Sequence, residues 1–315
     1  MAGKIMVVGS LVYDLVVWVP YFPRQGETLL ASQFKMYAGG KGFNQAVAAR
    51  RCAAQVSMLG KVGVDQFGDA FLELLDREGI DHHCVIRDAS TATSLGIPMI
   101  NPQGENCIIG VPRANTLVTP AEVGQAVDFI LQHELLLLQL EIPLAASLAA
   151  ARIAHRGGLM VIFNPAPAIH SLTDLLPQDE SGEPLIDWLM PNEVEAEMLS
   201  GIPANNPQDA IGSAQAILSH GVGKGVVITL GSQGAVAVTH SSQYVVPSFP
   251  VTPIDPTGAG DAFVGSFAAA LAQEMPLESA LRFASAAGAL AATVAGAEPS
   301  LPNRTSIQTF LDEHG

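Results

Sequence analysis

The sequence predicts an α/β fold: one domain built on a central, mostly parallel sheet with crossover helices, plus a small accessory β-sheet. Three observations predict it. Apolar runs of four to seven residues alternate with longer stretches of helical period, the pattern of strand–helix–strand units. Those runs are continuously apolar, as strands buried on both faces must be. Two regions, 15–37 and 94–111, break the rhythm because no helix length separates their β-prone runs.

KIMVVGS (4–10) reads as the first buried strand. VSMLGKVG (56–63), LLLLQLE (135–141), LMVIFNP (159–165), DWLMPN (187–192) and GVVITLG (225–231) read as others. Helical period falls between them at 41–53, 66–78, 120–132, 144–155, 193–200 and 207–219. LVVWVPYFPRQGETLLASQFKMY (15–37) and SLGIPMINPQGENCIIGV (94–111), the latter turning on Asn-Pro-Gln-Gly, read as a projecting sheet able to act as a lid. VAVTHSSQYVVP (236–247) reads as a meander on the sheet edge. No linker, repeat or low-complexity tract divides the chain.

At 315 residues, nearly half of them apolar, burial is ample. A formal charge of −15 argues against nucleic acid, which needs clustered Lys and Arg. Cys52, Cys84 and Cys107 lack disulfide or zinc spacing and read as small buried hydrophobes in a reducing compartment. MAGKIMVVGSL carries too short an apolar run for a secretion signal, and LLLLQL (135–140) is too short for a membrane span. The expectation is a soluble, cytoplasmic protein. Among the histidines, His82, His83, His155 and His170 show no metal-ligand spacing.

Ligands of open α/β sheets collect beyond the carboxyl ends of strands. Here several predicted strands run into polar residues: Glu141, Asn164, Asn192 and the Gly231 turn. Each alone is explained as a helix cap or turn former; several together are harder to explain that way. YAGGKGFNQAVAARR (37–51) is a glycine turn opening a helix, with Lys41 and Asn44 on one face, suited either to a polyhydroxyl ligand or to an ordinary helix start. PNEVEAEML (191–199) places acids at a helix N-terminus, where the dipole favours them, and leaves Asn192 and Glu195 able to hold water around Mg²⁺. ITLGSQGAVAV (228–238) is a strand–turn–strand whose amides and Thr229 can face a nucleotide or simply close a hairpin. In PIDPTGAGDAFVGSF (253–267), Gly258 and Gly260 expose amides at a helix start, a ready anion site, with Asp261 beside them. That pairing makes sense when the acid takes a proton from a nucleophile while the amides steady a transferring phosphoryl group.

GGKGFNQA, PNEVEAE and DPTGAGDAFVGSF, in that order, resemble the ribokinase-like (PfkB) sugar kinase family over essentially the whole chain. The resemblance implies a three-layer fold with helices flanking the sheet and a β-sheet lid. It implies in-line phosphoryl transfer from ATP to a sugar. GGKG-x-NQA and LQLE point to D-ribose, with another sugar, a sugar acid or a nucleoside as the alternative. By it Asp261 is the general base; Gly258, Ala259 and Gly260 form the anion hole; Asp14, Gly40, Lys41, Asn44 and Glu141 hold the sugar. Asn192, Thr229, Gly231, Gly234, Gly260 and Ser285 face the nucleotide, and Glu195 organises Mg²⁺ through water. Asp255, Thr257, Ala291, Val294, Gly296 and Ser300 surround an activating K⁺. It also implies a homodimer clasped through the lid, on the apolar faces of 15–19 and 97–100. Val12 departs from the Asn usual two positions before the sugar-binding Asp, and Trp18 and Phe43 are bulky for lid-side positions.

Overall fold

The structure is a computed structural model that describes residues 3–167 and 171–314. Nine strands form the main sheet in the order β13-β12-β11-β10-β9-β8-β1-β4-β5. They are β1 (Lys4–Val8), β4 (Gln55–Gly63), β5 (Asp81–Asp88), β8 (Leu135–Leu138), β9 (Met160–Phe163), β10 (Trp188–Leu189), β11 (Gly225–Thr229), β12 (Ala235–Thr239) and β13 (Gln243–Val246). All neighbours are parallel except the β11–β12 and β12–β13 pairs, the edge meander expected from 236–247. The accessory sheet is separate, in the order β3-β2-β6-β7, from β2 (Val12–Trp18), β3 (Gln33–Gly39), β6 (Ser94–Ile100) and β7 (Asn106–Val111). It begins at Val12 and carries the second strand to Gly39, slightly beyond the 15–37 window.

Helices cover both faces. One core layer packs α1 (Lys41–Arg51), α2 (Gln66–Glu78), α9 (Ala259–Ala272), α10 (Leu277–Ala291) and α12 (Arg304–Glu313) on the sheet. The other packs α3 (Pro120–Gln125), α4 (Val127–Ile130), α5 (Leu144–Arg156), α6 (Leu172–Leu175), α7 (Glu193–Ser200) and α8 (Pro207–Leu218). A last short helix, α11 (Ala297–Ser300), lies between α10 and α12. Local chemistry sets the ends: Asp65 accepts from the Gly68 amide to open α2, and Gly79, left-handed at φ 68°, closes it.

Four expectations need correction. The 120–132 segment is two short helices, because a Thr119–Glu122 capping box starts it but the backbone leaves the helix at Ala126 (φ −94°, ψ 9°). Strand 187–192 shrinks to Trp188–Leu189, since Pro191 has no N–H to offer a ladder; a lone Asn192–Thr229 bridge continues the alignment. Cys107 is exposed on β7 rather than buried. Phe43 is not lid-side: it is fully buried, edge-on to Phe71. His82 and His83 sit on edge strand β5 beside Asp76 and Asp81, and His155 pairs with Asp179; His170 lies outside the described residues.

Candidate functional site

β1, β4 and β5 step one way across the sheet, and β8 through β11 step the other, so the winding reverses between β1 and β8. A crevice opens at such a reversal, beyond the strands' carboxyl ends. Ser10, just past β1, donates its hydroxyl to Glu141 Oε2, just past β8, at 2.5 Å. The same carboxylate oxygen accepts the Lys41 amide at 2.8 Å, an acid placed where the first turn of α1 offers unpaired N–H groups. Ser10, Glu141 and the start of α1 are thereby one rigid corner.

Beside it lies a cavity of about 250 Å³ lined by Lys41, Asn192, Glu195, Thr229, Gly258 and Asp261, among others. A wider depression of about 690 Å³ between α8 and the 239–243 turn contains no carboxylate, lysine or arginine; chemistry therefore favours the smaller cavity. Asp261 stands in the first turn of α9, only 8% exposed. Asn44 Nδ2 donates to its Oδ2 and Gln45 Nε2 to its Oδ1, each at 2.9 Å. α9 reaches α1 this closely because Gly265 has no side chain: a Cβ there would stand 2.5 Å from the Gln45 carbonyl oxygen. Burial raises the Asp261 carboxyl above the usual range; Lys41, Asn44 and Gln45 oppose the rise, and Glu141 adds to it. Asn44 Oδ1 is buried without a partner among the described residues.

Of the three amides at the start of α9, Ala259 donates its N–H to the Pro256 carbonyl at 3.1 Å. Gly258, left-handed at φ 82°, and Gly260 keep theirs without a partner among the described residues. So two of the three expected amides remain for an anion. Lys41 Nζ makes no hydrogen bond among the described residues. Burial alone would lower its pKa, but Asp261, Glu141 and Glu195 together raise it, so the ammonium is firmly charged. Asn192 and Glu195 form a reciprocal capping box on α7: Asn192 Oδ1 accepts from the Glu195 amide at 2.8 Å, and Glu195 Oε2 from the Asn192 amide at 2.9 Å. The capping role and the cavity role coexist, since the second Glu195 oxygen is not consumed. Burial, with Glu193 and Asp261 nearby, pushes the Glu195 carboxyl up, and the Asn192 amide and Lys41 only partly oppose it.

Asp14 projects from β2 onto Gly96 of β6, where a Cβ would stand 2.1 Å from Oδ1; only glycine leaves that room. It has no hydrogen-bond partner among the described residues, and burial, then the charge of Glu141, raise its pKa to about 6. Gly40 is the left-handed residue (φ 91°) between strand β3 and α1. Asp255 Oδ1 accepts from the Thr257 amide and Oδ2 from the Gly296 amide, at 3.0 and 2.9 Å, and the Ile254 and Asp255 amides reach the Ala292 carbonyl. The 254–257 loop is thus tied to the segment from Ala291 through Val294 and Gly296 to Ser300. Gly231 and Gly234 form the turn after Thr229, with Leu230 N–H on the Gly234 carbonyl. Asp14, Gly40, Asn44, Glu141, Gly231, Gly234, Ala259 and Ser285 lie outside the lining of the cavity, and the buried Ser285 hydroxyl points to the Pro247 carbonyl at 3.4 Å.

Sequence reasoning did not single out Gln45 or Gln139 and took Asn164 only as a strand end. Gln139 Nε2 donates to Gln45 Oε1 at 2.7 Å, and Gln45 Nε2 donates to Asn164 Oδ1 at 2.9 Å. The signal available was a glutamine in each of NQA and LQLE at positions with no exposed face.

The pfkB family carbohydrate kinase model matches residues 2–304. The chain is 36% identical to the ribokinase of Haemophilus influenzae over 312 residues, covering 99% of each. It is 33% identical to the deoxyribokinase of Salmonella typhimurium over 307 residues, 98% of each. The structure of Arabidopsis thaliana ribokinase complexed with ribose and ATP superposes with a TM-score of 0.89 at 31% identity, again over 99% of both chains.

Proposed function

This chain belongs to the pfkB family of carbohydrate kinases and is an ATP-dependent sugar kinase, and we propose that it converts D-ribose and ATP to ribose 5-phosphate and ADP. The observation that carries the mechanism is the buried Asp261 carboxylate beside the partnerless Gly258 and Gly260 amides. Asp261 accepts the proton of the sugar hydroxyl as its oxygen forms a bond to the γ-phosphorus. The bond from that phosphorus to the β–γ bridging oxygen breaks, and the electron pair leaves with ADP. The two amides and Lys41 stabilise the charge spread over the transferring group. Asp14, Gly40, Asn44 and Glu141 bind the sugar; Asn192, Thr229 and the Gly231–Gly234 turn border the nucleotide. Ser285 contributes at most from behind Pro247.

Among the described residues no three His, Cys, Asp or Glu side chains converge on a metal-sized point. The donors present suit a hard ion held through water, and the raised pKa of Glu195 fits a group that gains from a cation. Glu195 would hold Mg²⁺ through water, and the ion would shield the triphosphate charge. Asp255, held below the usual carboxylate range despite its burial by bonds from Thr257 and Gly296, stays ionised, and with Thr257, Ala291, Val294, Gly296 and Ser300 it offers only oxygen donors. That set fits K⁺, which would brace the loop leading into Gly258. Omitting either ion from the assay should lower turnover at least tenfold; unchanged rates would remove that site.

The lid supports a homodimer through the sheet face that carries Leu15, Val17, Ile97 and Met99. Leu15, Val17, Ile97 and Met99 are half-buried, and by register they share a face with Phe34 and Met36 on β3 (both 54% exposed) and Ile109 on β7 (51%), which leaves apolar surface open. Sedimentation should give twice the monomer mass, and a Phe34→Glu, Ile109→Glu variant half of it. No helix of the described residues is long and apolar enough to cross a membrane; a cytoplasmic site of action is proposed with the activity.

Val12 supports a second acceptor, 2-deoxyribose. Val12 and Asp14 are two apart on β2, so both face the same way, and Val12 Cγ1 stands near the Gly96 position that Asp14 covers. A methyl there suits a methylene better than a hydroxyl. A coupled ADP assay over pentoses, deoxypentoses, hexoses and nucleosides tests both: ribose turnover is expected, and Val12→Asn should raise the ribose-to-deoxyribose ratio of kcat/KM several-fold. No turnover with either pentose ends both readings.

Asp14 also sets a pH dependence. Its raised pKa keeps it largely protonated below about 6, where it loses the carboxylate that accepts hydroxyl protons. Sugar affinity measured by calorimetry should therefore weaken about tenfold between pH 7 and pH 5, one decade per unit below the pKa. Asp14→Asn should bind weakly at both. A flat wild-type profile would separate Asp14 from the sugar.

A further inference from the structure

Every polar hydrogen of Gln45 is committed. One Nε2 hydrogen goes to Asp261 Oδ1 and the other to Asn164 Oδ1. Its Oε1 accepts from Gln139 Nε2, and Asn164 passes its own Nδ2 to the Met190 carbonyl at 2.7 Å. Reversing the Gln45 amide would set an oxygen against a carboxylate and a second amide oxygen. Reversing Gln139 would set two oxygens face to face. The direction of the chain from β8 through α1 to α9 therefore follows from the negative charge on Asp261. It also leaves Gln139 Oε1 buried against Gly9 with no partner among the described residues, and a buried orphan of this kind asks for a reason.

Asn44, the other donor to Asp261, is different. Its Oδ1 is free, so its amide can turn. Gln45 is 0% exposed and its amide is fully engaged by Asp261, Asn164 and Gln139; it cannot touch sugar or ATP.

We propose that Gln45, braced by Gln139 and Asn164, is the positioning residue that locks the Asp261 carboxylate in one orientation, with its remaining lone pairs directed to the acceptor hydroxyl. The inference rests on Asp261 acting as the base. Its lever is geometric, and the same hydrogen bond favours the charged carboxylate, so losing it should also make Asp261 harder to ionise.

Gln45→Met, which keeps length and bulk, should lower kcat roughly tenfold or more. KM for sugar and ATP should stay within about threefold, and the acid limb of the kcat–pH profile should move to higher pH. Gln139→Met, which reaches Asp261 only through Gln45, should shift both in the same direction by less, and it carries the test should Gln45→Met fail to melt cooperatively. In an Asp261→Asn background, Gln45→Met should cost under about threefold more, because it acts through a group already removed. Wild-type kcat with an unmoved acid limb in both variants, or losses that multiply in the double variant, would overturn the positioning role while leaving Asp261 as base. Near-normal turnover in Asp261→Asn alone would instead overturn the base assignment, and this role with it.

Discussion

Asp261→Asn is expected to lose at least about two orders of magnitude in kcat, the usual weight of a general base, while sugar and ATP bind within a few-fold of normal. The fold should tolerate the change for a specific reason. An asparagine must turn its NH₂ toward one of two amide donors, Asn44 Nδ2 or Gln45 Nε2. Gln45 cannot reverse, because Asn164 and Gln139 hold both its ends. Asn44 can, because its Oδ1 has no partner among the described residues. The new amide therefore faces Asn44, which rotates to accept it, and the cavity keeps its shape. Calorimetry with each ligand, a thermal melt and steady-state rates measure the three parts separately. A variant with kcat within tenfold of wild type would take the proton-accepting role from Asp261. One that loses binding as well would show that the carboxylate is chiefly a ligand for the sugar.

The parts of this molecule legible in its sequence are those fixed by neighbours along the chain. Strands β1, β8, β9 and β11 are buried on both faces and carry unbroken apolar runs, so composition alone marks them, and β4 is marked by its apolar majority despite Ser57 and Lys61. The ends of α2 are set by Asp65 and Gly79. β5 was illegible because an edge strand pairs on one side only and can be written DHHCVIRD without penalty. α10 and α12 are legible in the sequence only as apolar residues recurring at helical spacing, without a local cap to bound α10. The site follows the same division. Asn192 with Glu195, and Gly258 through Asp261, are single turns whose capping chemistry is local. The Gln139–Gln45–Asp261 line joins residues 94 and 216 positions apart, and no local pattern announces it. The engaged Ala259 amide is equally invisible, since it depends on how the loop from Pro256 closes.

Lys41→Met should be nearly as damaging as loss of the base, by a different route. Lys41 begins α1, and its backbone N–H is what anchors Glu141 at 2.8 Å; methionine preserves that bond and most of the side chain's bulk. What disappears is a positive charge facing Asp261, Glu141 and Glu195. Asp261 and Glu195 are already pushed up by burial, and Lys41 opposes the push on both. Without it both carboxyls take up protons at higher pH than in the wild type, so the acid limb of the rate profile moves upward. The transferring phosphoryl group also loses a cation in a site sheltered from water, where such a charge is worth about 3–4 kcal/mol. Turnover at neutral pH should fall about 100-fold and recover in part as pH rises, with the acid limb displaced upward from the wild type's. Recovery with pH separates the two contributions: the protonation share returns and the phosphoryl share does not. Should Lys41→Met keep more than a third of wild-type kcat with an unshifted profile, the ammonium is merely a counter-ion that balances the buried acids, and the Gly258 and Gly260 amides alone must stabilise the transition state.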